Sequence, residues 1–441
     1  MVVLRERGVS VLGGFVSSLV IVARILMKVL RLVVWGIIGL CGTSAAHAAD
    51  PLRLEDAVAR ALAAHPSVVA EMAQLQAVQA RADREGLPPS YTIGGEVENV
   101  AGTGSLSGAD SAETTLRIGR VIELGGKREA RQTLGRAEVR EQEHRADTVR
   151  IDLASLTATR FIEVVAGQQR LKYIEERIEQ AERTRREVAA GVEAARNPES
   201  DLLAAEIALA EAELDRESAE HELASARMAL ASSWGALVPD FGEVVGDLKA
   251  LPTVVPFETL ASRLPMTPEL QASRLQADTI VARRRVAEAS AKPDVDVSLG
   301  VRRMEAFNDQ GLVMSVSVPL GSRKRSGYSV AQANAELAAL EARREVYRFE
   351  RHQALFERYQ ELMRARTEAE SLYTSLIPKA EKALATTRHG FEAGRFSFMS
   401  LAQAQKTLFG LHTRVVEASS RYHLLLVEVE RLTATVEDMT P

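Results

Sequence analysis

One turn is written twice in this sequence, and it limits the chain to an elongated, duplicated fold. Gly191-Val-Glu-Ala-Ala-Arg196 leads into Asp201–Leu209, and Gly390-Phe-Glu-Ala-Gly-Arg395 leads into Ser400–Leu408. The two segments align without a gap at an offset of 199, so that Gly, Glu, Ala, Arg, Leu, Ala and Leu positions coincide. Each lies between long, charge-rich runs of helix-forming residues, which predicts the tip of a helical hairpin. No proline interrupts residues 127 to 190, so the first run allows a rod of roughly 95 Å. Such a rod buries little of its own surface and needs partners along its side.

The partners are readable as seams. Leu171, Ile174, Ile178, Ala181 and Val188 keep a heptad-like spacing on the outgoing helix. After the tip, Asn197 as cap and Pro198 at the first helical position are expected to open the return helix. On it Ala205, Leu209, Ala212, Ala219, Leu223, Ala226 and Leu230 repeat about every 3.5 residues, the sign of left-handed coiled-coil packing. In the second copy a helix is expected from about 329 to 392, kinked at Pro378. Its return helix carries Leu401, Ala404, Leu408, Leu411, Val415, Ala418, Tyr422, Leu425, Val429 and Leu432.

Each copy also holds two stretches with a period of two. Tyr91, Ile93, Gly95 and Val97 oppose Thr92, Gly94, Glu96 and Glu98, and Leu116, Ile118 and Ile122 oppose Thr115, Arg117 and Gly119. Val295, Val297, Leu299 and Val301 oppose Asp294, Asp296, Ser298 and Gly300, and Leu312, Met314, Val316, Val318 and Leu320 oppose Ser315, Ser317 and Pro319. Strands are thus expected at about 91–100, 113–123, 294–302 and 312–320, the last pair joined by a loop over 305–311. Leu124-Gly-Gly-Lys-Arg128 and Leu320-Gly-Ser-Arg-Lys324 join strand to helix in the two copies. The organisation reads as a first repeat at 49–234 with its tip at about 191–200, and a second repeat at 269–441 with its tip at about 390–399. A connector at 235–268, carrying Pro239, Pro252, Pro256, Pro265 and Pro268, lies between them.

Residues 1–48 read as a signal peptide. Lys28 and Arg31 form its positive region, Leu32–Leu40 its apolar region, and Ala46-His47-Ala48 a cleavage pattern. An earlier apolar run, Val9–Leu26, leaves open whether Met27 is the true start or whether the leader is unusually long or a membrane anchor. Cys41 is the only cysteine, and Leu40 stands where a lipoprotein signal wants a small residue. Cleavage after Ala48 leaves no cysteine, so neither disulfides nor thiol chemistry are expected in an exported chain. It also leaves 50 Lys/Arg against 59 Asp/Glu, a net charge of −9, which argues against nucleic acid as a partner.

Four strands with one apolar face do not close a barrel by themselves. In a membrane the open edges would leave backbone polar groups unpaired in hydrocarbon. Strands of about ten residues are long enough to cross a bilayer when tilted, so closure calls for several copies of the chain. Two copies give eight strands and a filled interior, whereas three give twelve with room for a channel. A soluble sandwich, a fibrous coiled coil and a periplasmic adaptor, which ordinarily shows one hairpin and no duplicated strand pair, are the competing readings.

Over about residues 50 to 436 the sequence resembles the outer-membrane efflux (TolC) family, whose members have two repeats of two strands plus long helices. That resemblance implies a mainly helical fold with a membrane β-barrel part, a trimer with a twelve-stranded barrel on an α-helical tunnel. Glu96-Val-Glu-Asn99, Gly102-Thr-Gly104, Glu113-Thr-Thr-Leu116 and Val121-Ile-Glu-Leu-Gly-Gly-Lys-Arg128 are similar to the CzcC-type branch that exports cobalt, zinc, cadmium or nickel. The implied partners are a second and third copy, outer-membrane lipid, a periplasmic adaptor (membrane fusion) protein and an inner-membrane pump of the RND type. A duct for drugs or organic compounds is the alternative within the family. By alignment the tip positions that can form an aperture are Asp201 and Ala204 in the first copy and Ser400 and Gln403 in the second. Only Asp201 is acidic, and it has a competing role in stabilising the first turn of a helix. Gly191, Arg196, Gly390, Gly394, Arg395, Phe396 and Phe398 are the implied adaptor-contact residues. Phe391 and Met399 also make the second tip apolar, and the cluster serves either an adaptor or the packing of the turn.

No enzymatic chemistry is legible. His47, His65, His144, His221, His352, His389, His412 and His423 contain no i, i+4 pair, so no metal site and no cofactor are expected. His412 and His423 read as surface or seam residues. Gly125-Gly126 is followed by no phosphate-loop pattern, and there is no G-x-S-x-G elbow.

Overall fold

The computed structural model describes residues 51–435. The signal peptide and Cys41 lie outside the described residues. Two helices, α1 (Leu54–Ala64) and α2 (Pro66–Glu85), lead into β1 (Tyr91–Glu98) and β2 (Glu113–Ile122), then α3 (Lys127–Glu193) and α4 (Glu199–Ala231). After the connector with α5 (Phe257–Arg263), the plan repeats as α6 (Pro268–Ala289), β3 (Val295–Met304), β4 (Asp309–Ser317), α7 (Ser322–Ser371), α8 (Ile377–Glu392) and α9 (Phe398–Thr433).

The strands form one antiparallel sheet in the order β1-β2-β3-β4. Its register carries the period-two pattern across all four strands. Ile93, Ile118, Leu299 and Met314 form one apolar row, and Gly95, Leu116, Val301 and Leu312 the next. The opposite face carries the row Thr92–Gly119–Ser298–Ser315 and the row Glu96–Thr115–Arg302–Gly311. Ile93 at 83 % exposure and Leu312 at 81 % show that nothing in a single chain covers the apolar face. The polar face instead satisfies itself: Arg302 reaches Glu98 at 2.9 Å, Glu113 at 2.8 Å and Thr115 Oγ1 at 3.0 Å, and Arg117 lies 3.4 Å from Glu96.

Strand ends differ from expectation for local reasons. β1 stops at Glu98 because Asn99 and Ala101 take positive φ. The expected 305–311 loop shrinks to a turn: Asn308 adopts φ 53 and donates to the Glu305 carbonyl at 3.1 Å, so β3 continues to Met304 and β4 starts at Asp309. β4 ends at Ser317, short of Pro319, which has no N–H for a ladder, so Val318 and Leu320 lie past the strand.

Glycines in left-handed conformation open both long helices, Gly126 (φ 73) before α3 and Gly321 (φ 87) before α7. Helix α7 therefore begins at Ser322 rather than near 329, and Ser326 Oγ donates to the Ala287 carbonyl at 2.7 Å, holding its first turns on α6. At the first joint the Lys127 ammonium lies 2.6 Å from Asp294, just before β3. Helix α3 spans 67 residues, about 100 Å. The expected kink at Pro378 takes the form of a π-turn, Leu372–Leu376, between α7 and α8; proline lacks the N–H that would continue the α ladder, and the hydrogen-bond pattern widens before it.

Packing follows the seams. Ala205, Ala212 and Ala219 of α4 are buried against α3, and α9 lies between α7, α8 and α3. Its Leu401, Leu408, Val415, Tyr422 and Val429, spaced by seven, are all buried. The connector is ordered rather than a free linker. Leu52 forms a parallel bridge with Val244, whose backbone is clamped by Gln168 at 2.9 and 3.0 Å, while Phe241, Val244 and Leu248 enter the core with Phe161 and Trp234. Among the described residues no helix is long and apolar enough to cross a membrane.

Candidate functional site at the paired hairpin tips

The two tips are built on the same hydrogen bonds. Arg196 N–H donates to the Gly191 carbonyl at 2.7 Å and Arg395 N–H to that of Gly390 at 2.8 Å. Asn197 N–H and Phe396 N–H each reach the same carbonyls at 3.2 Å, and Ala195 and Gly394 donate to Val192 and Phe391 at 2.9 Å. This is a helix terminus of the Schellman kind, with its left-handed residue at Ala195 (φ 56) and Gly394 (φ 69). Gly191 and Gly390 are required by close approach. A Cβ on Gly191 would overlap the Asn197 side chain, and one on Gly390 would overlap the Phe396 ring.

The return helices start differently from expectation. Helix α4 begins at Glu199 with Pro198 as its N-cap, so Asn197 is not the cap; its amide donates to Asp201 Oδ2 at 3.2 Å instead. Asp201, half-buried in the first turn of α4, therefore braces the first tip from within. In the second copy Ser397 is a true N-cap, accepting from Ser400 N–H at 3.3 Å, and the two hydroxyls are 3.1 Å apart.

The remaining predicted residues fall into two groups. Arg196, Arg395, Gly394, Phe396, Ser400 and Gln403 are exposed, whereas Gly191 and Gly390 are buried in the turns. Phe398 is 3 % exposed and packs on Val188 and Ala205 of the first hairpin, so its ring faces this chain rather than a partner. It is thus corrected from contact residue to anchor, while Met399 next to it is 67 % exposed. Ala204 joins the same cluster.

Phe398 thereby brings the two tips side by side, and a groove of about 440 Å³ runs between α4 and α9, lined in part by Thr184, Ala208, Met399, Gln405 and Lys406. Gln405 Nε2 donates to Thr184 Oγ1 at 2.8 Å across it. That bond was not foreseen, because it joins positions 221 residues apart with no shared periodicity. Further from the tips, His412 is a seam residue stacked on Tyr173 with ring centres 4.2 Å apart, and burial lowers its pKa below the ordinary 6.5. His423 points Nε2 at the Leu248 carbonyl, 3.3 Å away. Among the described residues no group of three or more His, Cys, Asp or Glu side chains is arranged to hold a metal ion.

With this geometry in place, comparison with known proteins gives a consistent result. Residues 57–236 match the family described as outer membrane efflux protein. The chain is 28% identical over 386 residues to the cobalt-zinc-cadmium resistance protein CzcC of Cupriavidus metallidurans, covering 88% of this chain and 91% of that protein. It is 25% identical over 321 residues to the nickel-cobalt-cadmium resistance protein NccC of Alcaligenes xylosoxydans xylosoxydans, covering 71% of each. In fold it is similar to the crystal structure of CusC, with a TM-score of 0.73 at 13% identity over 89% of this chain and 95% of that one. Duplicated strand pairs, long hairpins and these matches agree: residues 57–236 carry the outer membrane efflux protein pattern, and the chain as a whole is similar in fold to outer-membrane channels of the TolC type.

Proposed function

We propose that the protein is the outer-membrane channel of a tripartite efflux system, a passive exit duct for divalent heavy-metal cations. The observation that carries this reading is the sheet, with an uncovered apolar face, a charge-paired polar face and β1 and β4 at its two edges. Three copies would pair those edges into twelve strands, lipid outside and water within. Exposed apolar side chains on the helices support the same assembly: Leu203, Ile207 and Leu214 on α4, and Val346, Phe349 and Phe356 on α7. The heavy-metal cargo is supported by the resistance proteins to which the chain is similar.

As in the family whose pattern it carries, the chain performs no catalysis. Transport energy comes in this reading from an inner-membrane pump of the RND type, coupled through a periplasmic adaptor protein. The tips form the periplasmic aperture, with Asp201, Ser400 and Gln403 near its mouth. Arg196, Arg395 and Phe396, set by Gly191, Gly390 and Gly394, face the adaptor. A strain lacking the protein is expected to lose tolerance to zinc, cobalt, cadmium or nickel in growth assays. Unchanged metal tolerance with heightened sensitivity to organic compounds would replace the cargo and leave the duct.

A further inference from the structure

A pocket of about 550 Å³ opens on the apolar face of the sheet, at the end where β1 begins and β2 finishes. Ile118, Ile122, Val297 and Leu299 line it, with Pro88 and Pro89 beside the start of β1. Arg120 and Arg128 are the cations of its lining. Arg120 belongs to the row Tyr91–Arg120–Val297, on the same face as Ile118 and Leu299. Its Nη1 donates to Tyr91 Oη at 3.1 Å and its guanidinium sits 4.8 Å from the ring centre. Arg128 uses Nε on the Gly86 carbonyl at 2.8 Å, which leaves its two terminal amino groups for another acceptor. The carboxylate of the pocket, Glu123, is already held through both oxygens by Arg131. The lining is thus apolar with a positive rim.

An arginine on the apolar face of a strand costs about 2–4 kcal/mol at the bilayer midplane and little at the interface. Arg120 stands at the strand end that continues into the helices. This is the interfacial position, and the Tyr91 ring beside it suits the same level. The floor runs on without a break into the row Ile93–Ile118–Leu299–Met314. An occupant that satisfies both parts must be an amphiphile, anionic at the rim and aliphatic toward the middle of the membrane. Guanidinium groups match phosphate oxygens in geometry as well as charge.

We propose that this pocket binds a glycerophospholipid of the periplasmic leaflet, its phosphate against Arg120 and Arg128 and an acyl chain over Ile118, Val297 and Leu299. The proposal rests on the reading of the sheet as the membrane-spanning part. Free phosphate shares the chemistry of the rim but gains nothing from the floor.

The test uses the full exported chain, reconstituted into phosphatidylglycerol vesicles, re-extracted into detergent and weighed by native mass spectrometry. The wild type is expected to keep about one phospholipid per chain, and Arg120→Ala with Arg128→Ala to keep roughly tenfold less. Val297→Ala with Leu299→Ala, which trims the floor and leaves both cations in place, is expected to lose lipid as well. Equal retention by the wild type and the double variant would overturn the proposal, and so would displacement of the lipid by millimolar inorganic phosphate. If the double variant does not fold, Arg120→Gln with Arg128→Gln removes the charge, keeps a polar end group and most of the aliphatic stem, and answers the same question. Channel conductance of the double variant is expected at the wild-type level. Lipid loss with intact conductance supports the pocket, whereas absent conductance in the folded wild type strikes at the channel reading instead.

Discussion

The two hairpin tips share a backbone and differ in what they mount on it. In the first, Asn197 covers Gly191 and bonds to Asp201, so the turn is polar and braced from within its own hairpin. In the second, Phe396 covers Gly390, and Phe398, aligned with the exposed Glu199 of the first copy, crosses to the neighbouring hairpin. Duplication preserved the hydrogen bonds that end a helix and start its return, because only a glycine leaves room for the covering side chain. The covering side chains were then free to diverge, which gives a ring of such tips two chemical kinds of contact.

The largest effect is expected where that divergence is buried. Phe398→Ala should cost about 3–5 kcal/mol of local stability, read as faster hydrogen exchange at both tips, whereas Glu199→Ala should stay within about 0.5 kcal/mol. Similar exchange in the two variants would break the contrast between anchor and surface residue. Next, Gly390→Ala should cost about 1–3 kcal/mol through overlap with Phe396, with most of it recovered in Gly390→Ala/Phe396→Ala. A lack of recovery in a thermal melt would mean that the glycine serves backbone freedom instead. The smallest effect separates the left-handed residues. No atom lies within 4 Å of a Cβ placed on Gly394, so Gly394→Ala should lose about 1 kcal/mol from conformation alone, and Ala195→Gly should gain a similar amount. Opposite signs in urea titration would sharpen the view that both tips hold one backbone; equal signs would contradict it.

What was legible in the sequence follows from the range of the forces involved. The strands were, because alternation along Tyr91–Glu98 or Val295–Met304 records a local pleat with two different surroundings. The heptads of α4 and α9 were, because a seam repeats with the helix. Strand ends at Asn99 and Asn308 were less so, since asparagine reaches the left-handed region only when the turn rewards it. At the tips, the aligned Gly191 and Gly390 signalled a special turn without disclosing what would lie on them. The burial of Phe398 and the Gln405–Thr184 bond were hidden because each depends on how one hairpin meets the other, a distance of some two hundred residues in sequence. The exposed Leu203, Ile207 and Leu214 are masked in the sequence by the alanine seam of the same helix.

The central requirement is that the sheet be one part of a closed, water-filled barrel. Purified protein added to a planar lipid bilayer, after its assembly state has been fixed by mass, tests that claim. Discrete conductance steps are expected from a trimer, reduced by zinc or cadmium ions at the periplasmic side and less so in Asp201→Ala. A folded trimer that inserts and carries no current would contradict it.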